Sequence, residues 1–292
     1  MDYDIRLLLH YDYAAPAAGG QHLARLLPVS LPGVQEVLSA ELEFDPVPRE
    51  RGEFADFFGN RVVRLAYTRV HEHLEARMHA RVRVARTPPP LDLSPPPARL
   101  AGELARTWSL APDSPHHFTA ASPYVPLDAQ VTAYAARSAR DGRSTYACAT
   151  DLCRRIHADF AYDTEATEVD TPMQAAFAQR RGVCQDFSHI MIAGLRGLGV
   201  PAGYVSGFLR TLPPPGKERL EGADATHAWV RVWCGGEMGW QEFDPTNAIP
   251  AGDDHITLAH GRDYGDVSLL AGVLKTSGAQ EARQSVDVVP LG

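Results

Sequence analysis

The chain has 292 residues, and its shares of hydrophobic (45%) and charged (22%) residues are typical of a globular protein. It carries 28 lysine and arginine residues against 36 aspartate and glutamate residues, a formal net charge of −8. An acidic chain without a basic stripe argues against a nucleic-acid partner. The acidic N-terminus and the short apolar runs predict neither a signal peptide nor a membrane span, so we expect a cytoplasmic protein without a membrane partner.

The first third of the chain has the pattern of β-strands. Residues 62–69 and 77–86 alternate between apolar and polar side chains, and turn signals recur at 16–20, 32–33, 46–48 and 59–60. Short strands at this spacing are typical of antiparallel sheets packed face to face. The sequence therefore predicts an antiparallel β-sandwich over residues 1–86.

A proline-rich segment separates this part from the rest. Six prolines lie between residues 87 and 97, a composition that excludes a helix or a central strand and predicts a semi-rigid connector over residues 87–98. Beyond it, Asp128 and Ser144 are placed to cap helices, and apolar residues recur at helical spacing. We therefore predict an α+β protein whose second domain covers residues 99–292.

Four cysteines are too few, in a chain of this length, for a disulfide scaffold. Cys153 lies on the apolar stripe of a predicted helix and is interpreted as a core residue. Cys184 instead follows Gly182 and precedes an apolar helical pattern, which puts it at the start of a helix. Free N–H groups and the helix dipole favour an anion there, so the sequence predicts a thiolate nucleophile at Cys184.

A nucleophilic thiolate needs a base and a group that orients the base. Residues 225–234 alternate strictly and lead into Gly235-Gly236, which predicts a β-hairpin that continues to Asp244. A two-residue turn would place His227 directly opposite Asp244, whereas a four-residue turn would shift the opposite position to residue 246. Both registers keep His227 and Asp244 on the same face.

Three short motifs in this order resemble the transglutaminase-like superfamily: residues 182–187 (GVCQDF), 226–230 (THAWV) and 243–247 (FDPTN). More narrowly, the chain is similar to a bacterial branch described as cysteine proteases. Residues 56–60 resemble the N-terminal β domain of that branch, and residues 261–267 resemble its C-terminal signature.

The resemblance implies a papain-like core and amide or thioester chemistry through an acyl-enzyme. Cys184 would attack the carbonyl carbon, His227 would move the proton, and Asp244 would orient the imidazole. Gln179 is a candidate second oxyanion donor beside the N–H of Cys184, although a solvated glutamine is an alternative. Trp229 could shield the acyl-enzyme from water, or it could be a packed sheet aromatic.

The resemblance implies neither a cofactor nor a metal. Residues 182–185 (GVCQ) differ from the Gly-Gln-Cys-Trp of animal transglutaminases, which argues against calcium-dependent cross-linking. The close paired spacing of zinc ligands and the repeated ligands of a calcium loop are also missing.

The sequence leaves the reaction and the partner partly open. The main hypothesis is a cysteine-dependent amide hydrolase or acyltransferase acting on a peptide or protein substrate. The alternative is a non-catalytic peptide-binding module on the same core. We also expect residues 212–222 to rim the cleft and influence specificity. The sequence does not indicate the oligomeric state.

Overall fold

A computed structural model describes residues 1–89, 91–140, 142–211 and 224–291 of the chain. The strands are β1 (Asp2–Ala24), β2 (Gln35–Asp45), β3 (Glu50–Ala55), β4 (Arg61–Val84), β5 (Ala161–Tyr162), β6 (Arg181–Gly182), β7 (Ala202–Leu209), β8 (Ala225–Trp233), β9 (Trp240–Asp244), β10 (Ile249–Pro250), β11 (His255–Gly261), β12 (Leu270–Leu274) and β13 (Gln280–Leu291). The α-helices are α1 (Pro97–Leu104), α2 (Ala129–Ala136), α3 (Thr145–Asp159), α4 (Met173–Gln179), α5 (Cys184–Gly197) and α6 (Tyr264–Val267), and a 3₁₀ helix covers Pro115–Phe118. The predicted cleft loop, residues 212–222, lies outside the described residues.

The N-terminal strands form one antiparallel sheet, six-stranded within the described residues, and the predicted sandwich packing stays a prediction. Strands β1 and β4 pair along nearly their whole lengths, with bulges between Asp12 and Ala17 and between Ala18 and Gly20. Strands β2 and β3 pair with successive parts of β4, and β13 and β12 pair with successive parts of β1. Because β1 and β4 run through both halves, the short strands on either side belong to one continuous sheet.

The last two strands, β12 and β13, belong to this N-terminal sheet, whereas the sequence analysis places residues 99–292 in the second domain. Strand β13 pairs with the first half of β1, from Asp2 opposite Leu291 to Tyr13 opposite Gln280. Val286 and Val288 of β13 are buried in the core of the sheet. The return of the chain has a simple physical reason, since an unpaired β1 edge would leave its N–H and C=O groups without partners.

The second part of the molecule is an antiparallel five-stranded sheet, in the order β10-β9-β8-β7-β11, packed against helices. Helix α5 is almost entirely buried and contributes Phe187, Ile190 and Leu195 to the shared hydrophobic core. Gly194 allows α5 to approach α2 closely, because a Cβ at that position would lie 2.7 Å from the Cβ of Ala135. This packing fixes the position of the N-terminal end of α5.

Both helix starts expected from the sequence are present. The Asp128 carboxylate accepts from the backbone N–H groups of Gln130 and Val131, and the Ser144 hydroxyl accepts from that of Ala147. The proline-rich segment packs against the second of these caps, since the N–H of Thr145 donates to the carbonyl of Pro95 at 2.8 Å. The connector is therefore docked on the core over this stretch.

Two buried side-chain amides join the two sheets. Gln35 donates to the carbonyl of Thr257 and accepts from its N–H, each at 2.8 Å. Asn60 makes the same pair of bonds with His260, again at 2.8 Å. Thr257 and His260 lie on β11, the outermost strand of the five-stranded sheet, so the amides replace a neighbouring strand there. The N-terminal sheet is thus hydrogen-bonded directly to the sheet that carries the hairpin.

Candidate active site

Cys184 is the first residue of α5, as the sequence predicted, and its side chain is partly exposed. The N–H of the first helical residue has no acceptor within the helix, so it is free to bind an oxyanion. The other three cysteines, Cys148, Cys153 and Cys234, are buried. Burial raises the pKa of Cys148 to about 11 and that of Cys153 to about 12. Cys184 is therefore the one accessible thiol in the part of the chain that the structure describes.

Asp186 fixes the turn into the helix. Its carboxylate accepts from the N–H of Val183 at 2.9 Å and from the hydroxyl of Thr167 at 2.7 Å. Burial raises its pKa, and these two hydrogen bonds oppose the rise. Gly182 lies directly against this carboxylate, and a Cβ at that position would overlap the Oδ2 of Asp186. A glycine is thus required at position 182, two residues before Cys184, because a side chain there would collide with the carboxylate of Asp186.

His227 lies on β8 and links the other two members of the predicted triad. Its Nε2 is 2.8 Å from the Oδ2 of Asp244, and Cys184 is close enough to contribute to the pKa of the ring. Burial on its own would lower the pKa of His227, but the bonds and charges of Asp244 and Cys184 outweigh it and raise the pKa to about 10. The imidazole is therefore stabilised in its charged form.

Asp244 ends β9 and is completely buried. Besides His227, its Oδ2 accepts from the Nδ2 of Asn247 at 2.7 Å, and its Oδ1 accepts from the N–H groups of Thr246 and Asn247 at 2.9 and 3.2 Å. Burial would raise the pKa of Asp244, but its hydrogen bonds hold it well below the usual range. The buried thiol of Cys153 donates to its backbone carbonyl at 3.2 Å, which agrees with a structural role for that cysteine.

The hairpin has the longer of the two turns that the sequence allowed. The N–H of Cys234 bonds to the carbonyl of Gly239, and Arg231 lies opposite Glu242. His227 and Asp244 are therefore not directly opposite each other. They share a face, and the offset of two positions still allows the 2.8 Å hydrogen bond.

A second imidazole reaches the same carboxylate. The Nε2 of His255, on β11, is 3.1 Å from the Oδ2 of Asp244, and the residue is 1% exposed. The sequence analysis missed it because β11 is distant from the three motifs and no spacing rule connects it to them. The only signal is that His255 begins an apolar strand, where a histidine is unusual.

Trp229 and Gln179 were the two supporting residues expected from the sequence. Trp229 is fully buried and offers no surface to a substrate. Its ring stacks on His227 at 6.1 Å, and its Nε1 donates to the carboxylate of Glu242 at 2.6 Å. Gln179 is exposed at the last position of α4. The structure thus shows Trp229 packed behind His227, while the role of Gln179 as an oxyanion donor stays a prediction.

The buried charge behind Trp229 comes from the N-terminal part of the chain. Arg86, just after β4, donates to Glu242 at 2.8 Å and to the hydroxyl of Thr257 at 3.0 Å. Although burial would raise the pKa of Glu242, the positive charge of Arg86 and further hydrogen bonds hold it well below the usual range. Arg86 therefore neutralises the carboxylate that anchors Trp229.

Three possible metal-ligand atoms lie within 4.8 Å of one another: a ring nitrogen of His227, a ring nitrogen of His255 and a carboxylate oxygen of Asp244. This spacing is short enough for the three atoms to bind one metal ion. Both nitrogens, however, point at one oxygen at hydrogen-bond distance. We therefore assign the three residues to a hydrogen-bonded acid–base group.

Within the described ranges, no helix is long and apolar enough to cross a membrane.

Comparison with known proteins identifies two family regions in the chain. Residues 3–83 match the bacterial transglutaminase-like N-terminal region, and residues 132–245 match the transglutaminase-like superfamily. The uncharacterised protein Rv2569c of Mycobacterium tuberculosis is 37% identical over 269 residues, which cover 88% of this chain and 82% of that protein. The uncharacterised protein ML0607 of Mycobacterium leprae is 28% identical over 284 residues, 96% of each chain.

The fold has a counterpart among solved structures. The crystal structure of a candidate cysteine protease from Cytophaga hutchinsonii superposes with a TM-score of 0.74 at 22% identity, covering 100% of this chain and 91% of that one. At this identity the likeness shows a common fold. The superfamily match contains Cys184, His227 and Asp244. The chain therefore belongs to the transglutaminase-like superfamily and carries its bacterial N-terminal region.

Proposed function

We propose that the protein is a cysteine-dependent amide hydrolase or acyltransferase that acts on peptide or protein substrates through an acyl-enzyme on Cys184. The observation that carries the proposal is the position of His227, whose ring is 2.8 Å from the buried carboxylate of Asp244 and whose pKa is raised by both Asp244 and the partly exposed Cys184. A helix-borne cysteine, a strand-borne histidine and an aspartate at the end of the next strand also support a papain-like arrangement.

In the first half-reaction, the Cys184 thiolate attacks the substrate carbonyl carbon, and the carbonyl π electrons move to the oxygen. The N–H of Cys184, at the start of α5, supports the oxyanion. As the tetrahedral intermediate collapses, the C–N bond breaks, and the His227 imidazolium gives its proton to the departing amine. The products are a thioester on Cys184 and a free amine.

In the second half-reaction, water or an acceptor amine attacks the thioester, and neutral His227 takes the proton of the attacking group. The C–S bond then breaks, and the thiolate and the imidazolium are restored. Asp244 holds the ring in place and stabilises its positive charge throughout. Water yields hydrolysis and an amine yields acyl transfer, so the same residues serve both reactions.

The test is alkylation of the four cysteines by iodoacetamide between pH 5 and pH 8, resolved by peptide mass, with His227→Ala in parallel. We expect Cys184 to react fastest below pH 7 and to lose that advantage in the variant. Turnover is then measured on peptide amides, glutamine amides and esters, with and without a primary amine. If Cys184 reacts no faster than Cys148, Cys153 and Cys234, the proposal fails and a peptide-binding module is the better description.

A further inference from the structure

Two imidazoles converge on one oxygen of the buried carboxylate. The Oδ2 of Asp244 is 2.8 Å from the Nε2 of His227 and 3.1 Å from the Nε2 of His255. Of the two, His227 is the imidazole whose pKa Cys184 raises. His255 is 1% exposed, so it does not contact a substrate. Its contribution, if it has one, must act through Asp244.

The proton of His255 is fixed by its second nitrogen. The backbone N–H of Gly252 donates to the Nδ1 of His255 at 3.1 Å, so Nδ1 acts as an acceptor and carries no proton. The proton is therefore on Nε2, which faces Asp244. The backbone N–H of His255 donates in turn to the carbonyl of Gly252 at 3.0 Å, and this reciprocal pair fixes the ring in a tight loop.

Other titratable and charged groups surround this pair on every side. His227 approaches from β8, Glu242 lies two residues before Asp244 on β9, and the thiol of Cys153 on α3 donates to the Asp244 carbonyl. The Nε of Arg86 donates to the carbonyl of His255 at 3.4 Å. In the loop before β11, Asp253 accepts from the N–H of Arg86, and Asp254 pairs with Arg210 of the segment after β7. On β11 itself, His260 faces Glu242. None of these groups replaces the N–H that His255 directs at Asp244.

We propose that His255 is a positioning residue of the site, whose Nε2–H holds the Oδ2 of Asp244 in line with His227 and takes up part of its negative charge. The inference rests on the proposed function, because it assigns His255 to the same acid–base group. It extends the site by one residue that lies outside the superfamily match, which ends at residue 245.

The physical consequence concerns the acidity of His227. Three side-chain donors share Oδ2, so each sees only part of its charge. Without His255, more of that charge falls on His227, and the imidazolium gives up its proton less readily to a leaving amine. Asp244 also loses one of the bonds that fix its plane. We therefore expect a lower kcat with little change in KM.

The experiment compares His255→Leu, which removes the donor, with His255→Gln, whose amide can still donate to Asp244. Long-range ¹H–¹⁵N NMR of ¹⁵N-histidine-labelled protein reports which ring nitrogens carry protons between pH 5 and pH 11. In the wild type we expect the neutral ring of His255 to carry its proton on Nε2. In His255→Leu, His227 should lose its proton at a pH higher by roughly half a unit or more.

Activity is followed on the best substrate from the panel above. Loss of one hydrogen bond to a charged group corresponds to a fall in kcat of about 10- to 100-fold for His255→Leu, and His255→Gln should restore most of it. His79→Leu is the control, since it removes a half-exposed histidine that bonds to Asp4 at 2.8 Å in the N-terminal sheet. We expect it to change neither the titration of His227 nor kcat.

Three results would overturn the inference. A proton on the Nδ1 of His255 would contradict the donor assignment. An unchanged titration of His227 in His255→Leu, with only a lower melting temperature, would make the residue a structural one. Failure of His255→Gln to recover a lost kcat would exclude the hydrogen bond as the cause. If wild-type protein turns over no substrate, the proposed function fails, while the NMR titration still decides the role of His255.

Discussion

The proposed nucleophile, Cys184, and the proposed base, His227, are held in place in different ways. Cys184 lies at the partly exposed end of α5, and the residues that set its position, Thr167, Gly182 and Asp186, are within 17 positions of it. His227 and Asp244 lie inside the molecule, and their surroundings come from distant parts of the chain. Cys153 contacts Asp244 across 91 positions, and Arg86 contacts Glu242 across 156.

This difference has a functional logic. A nucleophile has to meet substrate, so it occupies an exposed position that a short segment can shape. A buried ion pair needs every polar atom satisfied, and one segment cannot supply enough donors. The N-terminal part of the chain supports the surroundings of the pair, because Arg86 bonds to Glu242 and the amides of Gln35 and Asn60 bond to the edge of β11. We call the surroundings of Cys184 the nucleophile side and those of His227 and Asp244 the base side. The comparison predicts that substitutions on the nucleophile side alter the reaction or the local structure, whereas substitutions on the base side also alter the stability of the fold.

The largest effect should come from Cys184→Ala. We expect turnover to fall by about 10⁵-fold or more, because no other group can form the acyl-enzyme. The melting temperature should stay close to that of the wild type, since the side chain is partly exposed. Cys153→Ala is the matched change on the base side, and it should lower the melting temperature while leaving measurable turnover. Residual turnover in Cys184→Ala equal to that of the wild type would refute the nucleophile.

Asp244→Asn should follow, with a loss in kcat on the order of 10⁴-fold from a wrongly oriented imidazole. It also affects stability. His227 has a pKa of about 10 in the folded protein against 6.5 as its ordinary value. Its protonation therefore stabilises the fold fully below about pH 6.5, and this contribution is lost as the pH rises toward 10. In Asp244→Asn that loss should be smaller.

The measurement for this prediction is urea unfolding of both proteins at pH 6, 8 and 10. A variant whose unfolding free energy declines with pH as steeply as that of the wild type would show that Asp244 does not raise the pKa of His227.

Arg86→Met tests the long-range support of the base side. It leaves the carboxylate of Glu242 buried beside Trp229 without its cation, and we expect a loss of about 3–5 kcal/mol in unfolding free energy. Arg83→Met is the control, because Arg83 makes an exposed ion pair with Asp2 and should matter little. Chemical denaturation measures both variants. An equal loss of unfolding free energy in the two variants would mean that the buried pair of Arg86 and Glu242 does not link the sheets.

The smallest effect is expected on the nucleophile side, from Gly182→Ala. The new Cβ would overlap the carboxylate of Asp186, so the turn into α5 must shift, at a cost of about 1–3 kcal/mol. Alkylation of Cys184 should slow as well, because its backbone moves. Gly52→Ala in β3, where a Cβ meets nothing within 4 Å, controls for the loss of a glycine. Wild-type alkylation in Gly182→Ala would show that the close approach does not position the thiol.

The sequence was most informative where a structural feature depends on contacts between residues that are close together in the chain. The caps at Asp128 and Ser144 and the start of α5 at Cys184 depend on neighbouring residues, and all three are present in the structure. Strict alternation in residues 225–234 likewise indicated which side chains of β8 share a face. The turn length remained open, because Gly235-Gly236 is compatible with a two-residue turn and with the four-residue turn that forms.

Tertiary structure alone decided the arrangements in which distant segments meet. Strands β12 and β13 join the N-terminal sheet because β1 offers an unpaired edge, and no local pattern says which edge a strand will choose. The contact of His255 with Asp244 and the burial of Trp229 arise in the same way, from packing between strands. The sequence by itself identified Cys184, His227 and Asp244 as the proposed nucleophile, base and orienting carboxylate. The side chains that surround His227 and Asp244 come from strands that are neighbours only in the folded protein, so the whole fold determines them.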